Sequence, residues 1–145
     1  MKASITVDPK SRKVLLDIGK HPHKHKKALR LALNEIGSEV VNKMANFIFN
    51  PPKTGRIYVY RGRPYQASAP GESPANRSGR LAKSGDYRVS SFAEMRVFET
   101  VEYAKWLEEG TKKMLPRPHV IRAVNANRRN AVRAIEDHVK RELKR

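Results

Sequence analysis

From Lys24 to about Asn50 the apolar residues Leu29, Leu33, Ile36, Val40, Met44 and Phe47 recur at spacings of 4, 3, 4, 4 and 3. Such spacings bring side chains onto one face only in a helix. About 26 residues rising ~1.5 Å each make a rod of roughly 39 Å. That is long for a chain of 145 residues, so the remaining elements have to be arranged around it. Pro22 suits the entrance, because a missing N–H costs nothing in the first turn. Pro51-Pro52 ends the rod: proline supplies no N–H and pushes its predecessor out of the α region. Gly37, inside the stripe, is a weak point of ~1 kcal/mol relative to alanine.

The other segments are short. Ser4–Asp8 and Lys13–Ile18 are β-branched runs separated by the turn chemistry of Asp8-Pro9-Lys10-Ser11, which predicts a β-hairpin over residues 1–20. Arg56–Tyr60 alternates, Ile57 and Val59 to one side, Tyr58 and Tyr60 to the other, before a turn at Arg61–Pro64 and then Tyr65. Ser68–Arg80 (SAPGESPANRSGR) has no large apolar residue, so residues 53–84 are expected as an extended arm that orders only against a partner. Leu81–Ser84 is at most one helical turn.

Asp86–Glu102 predicts one or two strands turning near Ser90–Ala93. Tyr103–Glu109 predicts a short helix with Gly110 as an αL cap. Met114–Pro118 is held extended by its prolines. A last helix is expected from about His119 onward, with Val120, Val124, Ala131, Ile135 and Val139 inward. No internal repeat appears. The resulting class is α+β, in one domain spanning 1–145: a small antiparallel sheet packed on one long helix (24–50) and a C-terminal helix (119–145), with a long arm.

Charge divides along the chain. The formal total is +17. Residues 10–30 carry eight basic side chains and one acidic, 53–88 eight and two, and 112–145 eleven and three. Residues 89–111 reverse the sign, with Glu94, Glu99, Glu102, Glu108 and Glu109 against Arg96 and Lys105. A basic fold with an acidic strip can stack on copies of itself, and the same total suits a phosphate backbone. Arg56, Arg61 and Arg63, interleaved with tyrosines, and Arg128 and Arg129 on the last helix are the candidate contacts to DNA or to an acidic partner.

Little chemistry is legible. The chain has no cysteine, which removes disulfides and thiolate sites. His21, His23 and His25 alternate, but no acidic or thiolate ligand lies close by and two lysines follow, so a solvated helix entrance is expected rather than a metal site. Glu108 and Glu109 diverge by ~100° on a helix, so a catalytic carboxylate pair is not expected, and capping or interface roles are. There is no nucleophile elbow, and Gly71 and Gly79 do not complete a phosphate-cradling loop. The expectation is no enzyme and no cofactor. The first ten residues hold no apolar run, so no secretory signal is expected, and no stretch approaches the ~18 apolar residues of a membrane span.

The most specific string runs Tyr103-Ala104-Lys105-Trp106-Leu107-Glu108-Glu109-Gly110-Thr111, then Met114-Leu115-Pro116-Arg117-Pro118, with Ala123 five positions on. It resembles the signature of siphophage-type neck and tail-completion minor structural proteins, the lambda protein Z-like kind. There an aromatic-rich turn reads roughly Y-A-x-(aromatic)-x-E-x-G-T, followed by M-x-x-R-P and a final helix. A second block, Gln66–Ala75 leading to Ser78-Gly79-Arg80-Leu81-Ala82-Lys83-Ser84, is similar to the family's A-P-G-x-P-P-A and [ST]-G-x-L-x-x-S. Order agrees too, and the likeness covers about residues 25–145. The chain departs at Ser73, where proline is common, and at His119, where an aromatic or apolar residue is usual.

The resemblance implies a structural virion protein forming a ring, often of six copies, at the head–tail junction, between connector or stopper and tail terminator or tail tube. Assembly would take place in the host cytoplasm, without a membrane partner, and packaged DNA would pass through. Tyr103, Trp106, Glu108, Gly110, Thr111, Met114, Pro116, Arg117 and Pro118 would then be shape-determining, with Trp106, Leu107 and Met114 anchoring the turn in the core. Pro70, Gly71, Pro74, Gly79, Arg80 and Leu81 would belong to an arm reaching the next subunit. The alternatives are a tail terminator of the same junction and a basic nucleic-acid-binding protein. A nuclease-like enzyme lacks the carboxylate cluster it needs.

Overall fold

The computed structural model describes residues 2–6, 22–50 and 52–143. The long apolar stripe forms α1, Pro22–Phe49. Leu29, Leu33, Ile36, Val40 and Met44 are buried along it as expected. Phe47 is only half-buried, and Ile48 closes the stripe in its place. His25 is also buried, not solvated as the sequence suggested.

Strands β1 (Lys2–Thr6), β4 (Gly85–Ser91) and β5 (Glu94–Glu99) make an antiparallel sheet in the order β1-β5-β4. Ser4 stands opposite Arg96 and Tyr87 opposite Val97, with an irregularity between Val89 and Ser91. The β4–β5 turn falls at Phe92–Ala93, within the expected region. The anticipated turn at Asp8–Ser11 and strand at Lys13–Ile18 lie outside the described residues.

Alternation puts Tyr87 and Val89 of β4 and Met95 and Val97 of β5 on the face that meets α1. Gly37 sits where that meeting is tightest. A Cβ there would lie 2.3 Å from Cδ2 of the Tyr87 ring. The residue that looks like a helix flaw is the place where a strand tyrosine approaches the helix backbone.

The last helix, Val120–Leu143, packs chiefly against α1. Val120 and Val139 are buried as expected, whereas Val124, Ala131 and Ile135 are half-buried. Ala123, Asn127 and Ala134 fill the centre of the contact instead. The buried line is therefore turned slightly from the one drawn through the valines.

A second apolar cluster, Ile48, Leu81, Ala82 and Ala104, joins the end of α1 to the short helix Ala104–Glu109, flanked by Val101, Tyr103 and Leu107. Here α2 denotes Ala104–Glu109 and α3 denotes Val120–Leu143. Apart from both clusters, β2 (Ile57–Tyr60) and β3 (Arg63–Gln66) pair as a two-stranded hairpin. Arg61 and Gly62 have φ of 50° and 74°, the left-handed pair that a two-residue hairpin turn requires. The turn is therefore tighter than Arg61–Pro64, and Pro64 belongs to the strand. The architecture is α+β, as the sequence indicated.

Candidate functional site

The segment after α2 reverses direction at Gly110, whose φ is 79° and ψ −178°. The residue is glycine for conformational reasons, but the conformation is extended in ψ and not the αL cap expected. A Cβ would also meet the Met114 carbonyl oxygen at 2.7 Å and the Pro116 nitrogen at 2.9 Å. Thr111 and Met114 then bridge each other, and the Arg117 N–H donates to the Leu107 carbonyl at 2.7 Å. The extended Leu115–Pro118 run is thereby laid back along α2.

At the start of α3 the sequence supplies no Ser, Thr, Asp or Asn cap. Glu108 performs that role from eleven residues away. Its carboxylate accepts the backbone N–H groups of His119 (2.8 Å), Val120 (3.1 Å) and Ile121 (2.9 Å). These are among the amides a helix start leaves without partners, and the positive end of the helix dipole adds to the attraction. The same carboxylate lies 3.0 Å from His119 Nδ1, an ion-pair contact out of hydrogen-bond alignment. On the other side of the ring, Nε2 meets Glu99 Oε1 of β5 at 2.7 Å.

His119 is 0% exposed, and both glutamate side chains are nearly as deep. Burial alone pushes the imidazole down, but Glu108 and Glu99 pull it up by more, to about 9. Burial likewise pushes the Glu108 carboxyl up. The His119 side chain and the amides of Ile121, His119 and Val120 outweigh it and bring the group down to about 2. An imidazolium between two carboxylates therefore ties β5, α2 and the head of α3 together. The carboxylates stand on opposite sides of the ring, and among the described residues no three His, Cys, Asp or Glu side chains are placed to hold a metal ion.

The Ser68–Arg80 loop is not the free arm its composition suggested. Gly71 N–H donates to the Pro116 carbonyl at 3.0 Å, Ser73 Oγ to the Pro118 carbonyl at 3.1 Å, and the Arg122 guanidinium to the Gly71 carbonyl. Glu72 accepts the Ala69 and Thr54 N–H groups and the Thr54 hydroxyl, closing the base of the loop. Ser68, Ser73, Pro74 and Gly79 are buried. The loop packs through backbone hydrogen bonds and small residues on its own chain, so it needs no partner to become ordered. Pro70, Gly71 and Arg80 stay at the surface, and Leu81 enters the second cluster.

Of the motif residues, Tyr103 and Met114 are half-buried, Thr111 and Pro116 exposed, and Arg117 and Pro118 partly covered. Leu107 flanks the second cluster as expected. Trp106 does not anchor the core: it is 55% exposed, because the face of α2 that packs inward carries Ala104, Leu107 and Glu108. Glu99 and His119 are the residues that sequence reasoning missed as a pair with Glu108.

Arg61 and Arg63 lie at the turn of the exposed hairpin, and Arg56 lies at its open end. Arg56 stacks toward Tyr58 and Arg61 toward Tyr60, at 5.7 and 5.6 Å from the ring centroids, so the tyrosine faces already have cationic neighbours. Arg128 and Arg129 are exposed on α3, which packs chiefly on α1, away from these strands. A further basic surface, absent from the sequence expectations, is an open cleft where Lys26, Lys27 and Arg30 of α1 face Arg88 of β4, with Asp86 beside them.

No protein-family model, curated protein or solved structure matches this chain. Among the described residues no helix is long and apolar enough to cross a membrane.

Proposed function

We propose that this chain is a structural component of a tailed-phage head–tail junction, a neck or tail-completion protein that assembles as a ring, often of six copies. The observation that carries the reading is the clamp between the two motif blocks. The A-P-G segment around Gly71 and the R-P segment at Pro116–Pro118 lie 45 residues apart and are bound to each other by Gly71–Pro116 and Ser73–Pro118 hydrogen bonds. Residues that form the phage-like signature thus build one scaffold, and the buried ionic clasp at Glu108 fixes the helix that follows it.

A scaffold of this kind holds a shape, and the proposal includes no reaction and no cofactor. The exposed β2–β3 hairpin, with Val59 78% and Ile57 62% open, is the natural contact to the adjacent copy. Connector or stopper and tail terminator or tube proteins would be the axial neighbours, and the packaged DNA a transient one. The location is the virion, after assembly in the host cytoplasm. Electron microscopy of particles made without this protein is expected to show full heads and finished tails that fail to join. Joined, infectious particles would refute the reading.

A further inference from the structure

Between the Ser68–Arg80 loop and α2 lies a half-enclosed pocket of about 410 Å³. Three arginines, Arg77, Arg80 and Arg117, line it, and no carboxylate does. Two of its lining residues, Ser68 and Arg117, carry buried polar atoms that no protein hydrogen bond satisfies among the described residues. Ser68 Oγ belongs to a residue 2% exposed, and Arg117 Nε is sealed from solvent. Buried polar groups without partners are costly, and guanidinium groups only donate, so a lining that carries three of them favours an anion. The Tyr65 hydroxyl stands within the fields of Arg77 and Arg117, which oppose the upward push that burial exerts on it.

We propose that this pocket binds a carboxylate side chain presented by an acidic polypeptide segment. Volume, recess and charge together select that ligand. The space suits a few side-chain groups, and Leu81, Tyr103 and Leu107 provide an apolar wall for the aliphatic stem of a glutamate. The guanidinium fork matches a planar carboxylate in two parallel hydrogen bonds. Duplex phosphates sit on a wide rigid cylinder and meet flat or protruding basic surfaces, whereas this pocket is half enclosed. Arg77, one of the lining arginines, is already held 4.3 Å from the centroid of the Tyr60 ring, which lowers the ordering cost of binding. The site stands on this geometry alone and does not depend on the junction reading.

The test is fluorescence anisotropy of a labelled peptide of alternating glutamate and glycine, titrated with the full chain at ~150 mM salt to suppress diffuse attraction. The glutamine version of the peptide is expected to bind at least tenfold more weakly. Arg117→Gln and Arg77→Gln should each weaken the acidic peptide about tenfold, and Arg133→Gln, an equal charge loss on α3, less than twofold. Arg77 is exposed, so that variant stays informative even if Arg117→Gln folds poorly. Equal losses for Arg77→Gln and Arg133→Gln would overturn the site, as would no discrimination between the peptides. A short DNA duplex bound in place of the peptide, with the same dependence on Arg77 and Arg117, would reassign it to nucleic acid.

Discussion

Glu108 is asked to do two things with one carboxylate: cap a helix and neutralise a buried imidazolium. Glu108→Gln keeps the volume but leaves His119 with Glu99 alone, and breaking a buried pair in this way costs ~3–5 kcal/mol. The pH dependence has a definite sign on each side. The Glu108 carboxyl is lowered from its ordinary 4.5 to about 2, so its contribution is whole above 4.5 and is lost as pH falls toward 2. His119 is raised from 6.5 to about 9, so its contribution is whole below 6.5 and is lost as pH rises through 9. Thermal unfolding should therefore give the highest Tm between pH 4.5 and 6.5, falling on both sides. In Glu108→Gln the acid limb should flatten, and the alkaline limb, still beginning near 6.5, should be smaller and end at lower pH. A capping role for Glu108 was among the sequence expectations, but its helix and its partners were not legible, because Glu99, Glu108 and His119 are separated by nine and eleven residues and share no periodicity. The one available signal was negative: a helix beginning after Pro118 with no capping side chain of its own must find its cap elsewhere.

Helices and the β4–β5 hairpin could be placed from the sequence because burial imprints a period of 3.6 or 2 on apolar residues. What that imprint omits is packing made by backbone and small side chains. Ser68–Arg80 has no apolar period, yet Ser73 and Gly71 fasten it to Pro118 and Pro116. Likewise Ala123 and Asn127, not the neighbouring valine, define the buried line of α3. At β2–β3 the alternation was legible and burial was not, since a hairpin with both faces open has no core to point toward. Ile57 and Val59 then stand as exposed apolar residues on a strand pair that is marginal by itself. The double variant Ile57→Ser, Val59→Ser should change thermal stability by no more than ~0.5 kcal/mol. Under the junction proposal it should nonetheless abolish ring formation in sedimentation velocity. An unaltered ring would remove the hairpin from the subunit interface.

At the level of the whole molecule, the acidic strip of residues 89–111 first suggested that copies attract one another by charge. The structure reduces what the strip can offer outward. Glu99 and Glu108 are engaged inside the clasp, and Glu94 is paired with Arg96 on the same strand, leaving Glu102 and Glu109 as its exposed carboxylates. Against them stands a total of +17, with basic groups on the β2–β3 hairpin, the α1–β4 cleft and α3. Copies brought side by side would repel more than attract, unless apolar contact or an acidic neighbour offsets the charge. Salt should then act in opposite directions on two associations. Raising it from ~50 to ~500 mM shortens the Debye length from about 14 Å to about 4 Å, so a ring of this chain alone should become tighter. Its complex with an acidic partner should weaken over the same range. Sedimentation velocity of the purified chain at both salt concentrations measures the first effect. Dissociation of the ring at high salt would show that opposite charges, and not apolar contacts, join the copies.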